Sequence, residues 1–161
     1  MKNYKAIILG PQCSGKTTLK KYFQEHQALP LVEEDELFTE LNNGEYPQDI
    51  EYKENVLRPK LEEKIRESEN IIFLTSYCDR ILLMELKEKG FKVIQLVLEM
   101  DEFQRRNTKR MSDEGYDDAN TWAKEIFNFH QEVRDKGWVD LEVDATLPVE
   151  KIAEQILKFL D

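Results

Sequence analysis

A glycine-rich segment directly after an apolar run places the strongest constraint on this chain. Residues 6–9 have the composition of a buried strand, and an amphipathic helix with Leu19, Tyr22 and Phe23 on one face begins soon afterwards. The segment between them reads Gly10-Pro11-Gln12-Cys13-Ser14-Gly15-Lys16-Thr17. It fits the pattern G-x-x-x-x-G-K-[ST] at every fixed position, and a strand, a glycine loop and a helix form the setting in which that pattern binds phosphate. The sequence therefore predicts a nucleotide phosphate site.

Each fixed position of this loop has a role towards a triphosphate. Gly10 and Gly15 permit backbone angles that turn successive N–H groups towards a phosphate. The helix that starts near Gly15 directs the positive end of its dipole at the same anion. Lys16 supplies a cation for the β- and γ-phosphates, and the Thr17 hydroxyl is placed to ligate Mg²⁺. The predicted nucleotide-binding residues are Gly10, Pro11, Gln12, Cys13, Ser14, Gly15, Lys16, Thr17 and Thr18.

Composition predicts one small acidic domain. The 161 residues, 40% of them hydrophobic, suit a single compact core. The formal net charge of −10 makes a nucleic-acid partner unlikely, since phosphate backbones are held by surplus Lys and Arg. No apolar run approaches about eighteen residues and no signal peptide occurs, so we expect no membrane association and a cytoplasmic location. Cys13 and Cys78 lack metal-ligand spacing and are expected to stay reduced.

Strand-like and helix-like segments alternate along the chain. Strand-like runs fall near residues 5–9, 29–32, 71–74, 93–98 and 138–143. This alternation predicts a single α/β domain over residues 1–161, with a parallel sheet between helices. Pro59 should interrupt the helix predicted for residues 49–68. Asp101 and Gln104 have the spacing of a capping box for the helix after the fourth strand.

These features together resemble the small P-loop kinases of the nucleoside-monophosphate-kinase-like superfamily, which includes adenylate, shikimate and gluconate kinases. The resemblance rests on the phosphate loop, five strand–helix units, an arginine-bearing helix after the fourth strand, and a closing strand, turn and helix over residues 141–152. It implies a three-layer fold with a five-stranded parallel sheet in the order 2-3-1-4-5. It also implies ATP and Mg²⁺ as ligands and a small-molecule phosphoryl acceptor.

Arg106 and Arg110 match the arginine spacing with which the lid of that family begins. Standing four residues apart on a helix, they project from one face. The resemblance implies that they act with Lys16 to neutralise charge on the transferring phosphoryl group. A solvated helix face is the alternative interpretation. The lid itself is expected over residues 111–118, with Gly115 as its flexible point.

An acidic cluster follows the second predicted strand, at residues 33–36. In kinases that phosphorylate hydroxyl groups, an aspartate at this place orients or deprotonates the acceptor and touches the metal shell. Asp35 is therefore the candidate catalytic base and the second metal ligand after Thr17. Glu34 is the second choice for this role, and both residues are expected to bind the acceptor. The other interpretation is an acidic helix N-terminus that complements the helix dipole. Asp79 is the alternative residue for the metal shell.

The acceptor side departs from the nucleoside monophosphate kinases. Ser76 stands where those kinases carry an acidic residue, and no arginine directly precedes Asp117 and Asp118. Acceptor binding is expected from residues 34–66 together with Arg80. A nucleoside or nucleotide, a sugar-like alcohol and a carboxylate-bearing metabolite all remain open as acceptors.

The predicted function is transfer of the γ-phosphoryl group of Mg·ATP to a small molecule. An NTPase or a nucleotide-binding regulatory protein without kinase activity is the alternative, although the guanine-specifying N-K-x-D and the D-x-x-G turn of GTPases are absent from the sequence. A polynucleotide kinase is less favoured because of the acidic charge. His26 and His130 lie in predicted helices and are interpreted as partly exposed structural residues. The sequence does not predict the oligomeric state.

Overall fold

A five-stranded parallel sheet forms the centre of the structure, a computed structural model that describes residues 2–161. The strands are β1 (Lys5–Leu9), β2 (Leu31–Glu33), β3 (Ile71–Thr75), β4 (Lys92–Val97) and β5 (Leu141–Asp144). They lie in the order β2-β3-β1-β4-β5, and each neighbouring pair is parallel. The predicted fold class and strand order are confirmed.

Helices connect the strands and cover both faces of the sheet. They are α1 (Lys16–His26), α2 (Glu34–Leu41), α3 (Ile50–Tyr52), α4 (Arg58–Glu67), α5 (Arg80–Glu88), α6 (Met100–Glu114), α7 (Ala123–Asp135) and α8 (Val149–Leu160). A π-helical turn, Lys53–Leu57, joins α3 to α4, and a 3₁₀ turn, Ala119–Trp122, precedes α7. Within residues 2–161, no helix combines the length and apolarity needed to span a bilayer.

The central strand divides the core into two layers. Ala6 and Ile8 pack with α1, α6 and α8, while Ile7 and Leu9 pack on the opposite face with α2, α4, α5 and α7. All four side chains are fully buried. A parallel strand that is covered on both faces has a continuous apolar sequence, which explains the unbroken run that leads into the glycine loop.

The helical segment before Pro59 changes its hydrogen-bonding pattern. The N–H group of Arg58 donates to the carbonyl of Lys53, five residues back, and this bond defines the π-helical turn. Pro59 then lies in the first turn of α4, where a missing N–H group is tolerated. The predicted interruption is thus a local widening of a helical segment that continues to Glu67.

The helix after β4 differs from its prediction at both ends. It begins at Met100 with Glu99 as the N-cap, so the predicted capping box of Asp101 and Gln104 is wrong. It also continues through Glu114, which makes the first half of the predicted lid, residues 111–118, helical. The helix ends at Gly115, whose φ of +69° is the left-handed conformation favoured at a helix C-terminus. Only residues 115–118 of the predicted lid are non-helical.

Candidate active site

The predicted site residues meet at the carboxyl edge of the sheet. β1 leads into the glycine loop, and the N–H group of Gly10 donates to the carbonyl of Thr75, the last residue of β3, at 3.1 Å. Glu33, the last residue of β2, lies on the other side of β3. Ligands of open parallel sheets bind in the crevice outside this edge. The edge is therefore where the chemistry of the molecule is expected.

The loop needs its first glycine for space and its second for conformation. A Cβ on Gly10 would lie 2.4 Å from Ser14 Oγ, closer than Cβ contacts in real proteins, and 3.2 Å from Leu96 Cβ, which is tighter than most. Gly15 has a φ of +92°. Cys13 also has a positive φ, +67°, which is uncommon for a residue with a side chain. The left-handed residues of the loop are thus Cys13 and Gly15.

The residues of the loop fit a phosphate group. Ser14 is buried, and its hydroxyl has no hydrogen-bond partner within residues 2–161. At the start of α1, Gly15 offers no capping side chain and the first turn carries no acidic residue. The N–H groups there consequently have no side-chain acceptor. A helix N-terminus of this kind, next to an unpaired hydroxyl, is suited to an anion.

Lys16 is folded over the loop. Its ammonium group donates to the carbonyls of Gly10 at 2.6 Å and Pro11 at 2.9 Å, and to Ser76 Oγ at 3.2 Å. Burial lowers the pKa of Lys16 from 10.5 to about 8, although Glu33 and other nearby groups partly oppose this. The three contacts use all three ammonium hydrogens. A phosphate group must therefore replace some of them when it binds Lys16.

His130 on α7 fixes the loop that contacts Lys16. Its Nε2 lies 2.8 Å from the carbonyl of Ser76, and because a carbonyl only accepts, the ring proton is on Nε2. Burial lowers the pKa of His130 to about 4, so the ring is neutral at pH 7. The imidazole is only 3% exposed. The interpretation of His130 as partly exposed is therefore wrong, and the residue links α7 to Ser76 and Lys16.

The structure pairs Thr17 with an acidic residue that the sequence analysis did not single out. The Thr17 hydroxyl donates to Glu33 Oε1 at 2.6 Å. Asp35, the predicted second metal ligand, is exposed in the first turn of α2, and it is not the carboxylate to which the Thr17 hydroxyl donates. Partial desolvation and the neighbouring Glu33 carboxylate raise the pKa of Asp35 above its ordinary value. The missed signal was the end of β2, which extends one residue beyond the predicted strand.

The Thr17–Glu33 pair fits Mg²⁺ as it is bound beside phosphates. Hydroxyl and carboxylate oxygens are ligands that Mg²⁺ accepts, and Mg²⁺ near a nucleotide takes one or two protein ligands together with phosphate oxygens and water. No cluster of three or more His, Cys, Asp or Glu side chains suited to a metal occurs in residues 2–161. The donor set thus suits a metal that arrives with a nucleotide.

Arg106 and Arg110 both reach the glycine loop. Arg106 donates to the carbonyls of Cys13 at 2.9 Å and Ala145 at 3.0 Å, and it pairs with Glu102. Arg110 donates to Cys13 Sγ at 3.1 Å. Both side chains face the loop, so the interpretation as a solvated helix face is wrong. Arg106 ties the loop to the segment after β5, whereas Arg110 has a single loop contact and is freer to meet a ligand.

Two residues predicted for the acceptor and metal sites have other partners. Arg80 donates to Glu132 of α7 at 2.7 Å and is largely exposed. Asp79 is the N-cap of α5, where its carboxylate accepts the N–H groups of Ile81 at 3.0 Å and Leu82 at 3.4 Å. The structure therefore does not bring Arg80 or Asp79 to the glycine loop as ligands.

Glu34 and Arg58 face each other beside Asp35. Arg58 donates to Glu34 at 2.9 Å from α4, and the same guanidinium group pairs with Glu54. Asp35 follows Glu34 directly in the first turn of α2. Glu34 is thus neutralised by an arginine, whereas Asp35 is exposed and has no ion-pair partner within residues 2–161.

No known family model and no curated protein matches this chain. Solved structures do. Shikimate kinase from Aquifex aeolicus is 20% identical with a TM-score of 0.68, and the match covers 96% of this chain and 94% of that one. A gluconokinase from Sinorhizobium meliloti (15% identical, TM-score 0.57) matches over 99% of this chain and 93% of its own. A sugar kinase from Janibacter sp. is 18% identical with a TM-score of 0.66, covering 99% and 95%.

At these identities the likeness concerns the fold. The matches extend over nearly the whole of both chains, so no large segment lies outside the shared architecture. The sheet order and the position of the glycine loop after β1 agree with the resemblance derived from the sequence. The chain has the P-loop kinase fold.

Proposed function

We propose that this protein is an ATP-dependent phosphotransferase that moves the γ-phosphoryl group of Mg·ATP to a small-molecule acceptor. The observation that carries the proposal is the convergence of Lys16, Arg110 and the Thr17–Glu33 pair on one glycine loop. The solved structures of a shikimate kinase, a gluconokinase and a sugar kinase, which have the same fold, support it further. A module that only binds nucleotide has no need of Arg110 or of an exposed carboxylate such as Asp35.

The loop residues bind and orient the nucleotide in this proposal. Mg·ATP supplies the γ-phosphoryl group and the positive charge of the metal. The N–H groups after Gly15 and the Lys16 ammonium hold the phosphates, and Thr17 and Glu33 hold the metal. Arg110 stabilises negative charge on the transferring group, because its guanidinium group lies against the loop and does not titrate.

Asp35 is the residue proposed to hold the acceptor. Its carboxylate accepts a hydrogen bond from the acceptor hydroxyl and receives the proton of that hydroxyl during transfer. The other three acidic residues of this cluster already have partners: Glu33 pairs with Thr17, Glu34 with Arg58 and Glu36 with Lys20. The raised pKa of Asp35 brings it closer to the range of a general base than an ordinary surface aspartate.

The test is ADP production from Mg·ATP in the presence of nucleosides, nucleoside monophosphates and small hydroxylated metabolites. We expect acceptor-dependent ADP from one class of compound, and none from the variant Lys16→Ala. Arg105→Ala is a matched control for the lid arginines, since Arg105 lies on α6 and, among residues 2–161, pairs with Glu102 alone. ATP binding with hydrolysis that no acceptor stimulates would contradict the proposal and indicate an NTPase or a regulatory protein.

A further inference from the structure

The acceptor side of the crevice is acidic. The predicted acceptor region, residues 34–66, contains ten Asp and Glu residues and five Lys and Arg residues. An open depression beside α2 is lined by Asp35, Glu36, Thr39 and Glu40. Glu36 pairs with Lys20 and Glu40 with Lys64, so Asp35 is the lining carboxylate that has no ion-pair partner within residues 2–161. A surface of this charge repels an anionic ligand and attracts a neutral or cationic one.

The cations of this region already have protein partners. Four of its five Lys and Arg side chains form ion pairs within residues 2–161, namely Lys53, Arg58, Lys64 and Arg66. Lys64 and Arg66 pair with carboxylates that include Glu40 and Glu85. Arg80, the other predicted acceptor cation, pairs with Glu132. An anionic acceptor would have to compete with a protein carboxylate for each of these groups.

Arg58 has the most extensive set of protein partners among these cations. Its Nε and Nη2 atoms donate to the two oxygens of Glu54, and its Nη1 donates to Glu34 at 2.9 Å. The guanidinium group also lies 5.0 Å from the centre of the Phe38 ring. Hydrogen bonding to Arg58 holds the pKa of Glu54 below its ordinary value, so Glu54 stays ionised. The two-pronged edge with which arginine binds carboxylate or phosphate is therefore already in use.

Lys53 is a further cation near Asp35. Its ammonium group lies 3.7 Å from Glu54 and 3.4 Å from the hydroxyl of Tyr46, above the Phe38 ring. Lysine presents a single charged point and lacks a planar fork. Because Lys53 is shared among these groups, it cannot bind the phosphate or carboxylate of an acceptor with the two parallel hydrogen bonds that a free arginine would provide.

We propose that the phosphoryl acceptor is an alcohol without an anionic group, either uncharged or amine-bearing, such as a polyol, a sugar or a nucleoside. This inference rests on the proposed function and narrows its acceptor class. The carboxylates of the region accept hydrogen bonds from hydroxyl and ammonium groups. They repel a phosphate or carboxylate, and that repulsion is an element of selectivity. Glu34 and Glu54 determine the specificity because they neutralise Arg58.

The test compares acceptors that differ only in an anionic group. Suitable pairs are glucitol and gluconate, and the methyl ester of shikimate and shikimate itself. For each pair we measure kcat/KM for acceptor-dependent ADP production by the wild-type protein. We expect the member without an anionic group to be favoured by about tenfold or more, which is the effect of roughly 1.4 kcal/mol.

Two variants test the part played by Arg58. Glu54→Gln frees the two-pronged edge of Arg58 and should shift the ratio at least about tenfold towards the anionic member of a pair. Glu34→Gln should act in the same direction through the third contact. Glu63→Gln on α4 removes an equal charge from an exposed side chain and should change the ratio by less than about threefold. Thermal unfolding of each variant shows that it is folded.

The outcomes separate this inference from the proposed function. A wild-type preference for the anionic members would overturn the inference about the acceptor and would still support the proposed phosphotransferase activity. A ratio that Glu54→Gln leaves unchanged would overturn the role of Arg58 pairing. Failure of every acceptor to raise ADP production above the no-acceptor background would remove the proposed function, and the inference with it.

Discussion

The charge of Lys16, which the phosphate loop needs for binding, lowers the free energy of unfolding because the ammonium group is desolvated in the folded protein. Lowering its pKa from 10.5 to about 8 means that keeping the ammonium charged at pH 7 costs the folded protein about 3 kcal/mol. The substitution Lys16→Met keeps the length of the side chain and removes this cost. It also removes the hydrogen bonds to Gly10, Pro11 and Ser76. These two effects oppose each other at pH 7.

The pH dependence of the unfolding free energy separates the cost of the Lys16 charge from the loss of its hydrogen bonds. Because the pKa of Lys16 is lower in the folded state than in the unfolded state, the cost is present in full below pH 8 and disappears as the pH rises through 10.5. The neutral amine can still donate to the carbonyls of Gly10 and Pro11 and can accept from the Ser76 hydroxyl. The loss of these bonds in Lys16→Met therefore has nearly the same effect at every pH. Between pH 7 and about pH 10, wild type should therefore gain about 2.5 kcal/mol of unfolding free energy relative to Lys16→Met.

Urea unfolding of wild type and Lys16→Met at both pH values measures this difference. Lys109→Met is the control, since Lys109 is exposed on α6 and its removal should change the unfolding free energy almost equally at both pH values. A wild-type-to-variant difference that is the same at pH 7 and pH 10 would refute the reasoning. It would mean that water or a rearranged loop solvates the ammonium group in the folded protein.

Three further predictions concern the site. Arg110→Ala should lower kcat about a hundredfold and weaken ATP binding far less. Arg105→Ala should change neither kcat nor ATP affinity by more than about twofold. Steady-state kinetics measures kcat, and ATP titration measures the affinity. Glu33→Gln should raise the Mg²⁺ concentration needed for half-maximal activity about tenfold or more, and Asp35→Asn should lower kcat without that change; an Mg²⁺ titration of activity distinguishes them. His130→Phe should leave the Ser76 carbonyl unpaired, lower kcat and lower the unfolding free energy by about 1–3 kcal/mol. His130→Gln can still donate to this carbonyl and should recover part of the kcat and part of the unfolding free energy.

The parts of the fold that could be predicted from the sequence are those with local signals. The glycine loop follows a buried strand and opens a helix, so pattern and setting lie within some twenty residues of sequence. The strand–helix alternation predicted a parallel sheet for the same reason. The order of the strands came from the resemblance to P-loop kinases, because periodicity within a strand carries no information about its neighbours.

The parts that could not be predicted depend on partners distant in sequence. His130 touches a carbonyl 54 positions away, and Arg80 pairs with Glu132 at a separation of 52. No pattern around Arg80 distinguishes an arginine that faces an acceptor from one that faces a helix. Glu33 was passed over for a different reason, since the end of a short strand is uncertain by a residue or two and that residue decides which carboxylate meets Thr17.

Lys16 also connects nucleotide binding to proton uptake. In the absence of a ligand its amine has a pKa of about 8, and a bound phosphate must raise that pKa because an anion favours the charged form. Above pH 8, binding of ATP should therefore take up a proton, and the affinity should fall by up to about tenfold for each further pH unit. Calorimetric titration at pH 7 and pH 9, in buffers of different ionisation enthalpy, measures both effects. Lys16→Met should show neither, and a wild-type affinity that stays constant between these pH values would mean that Lys16 is not the group that meets the phosphates.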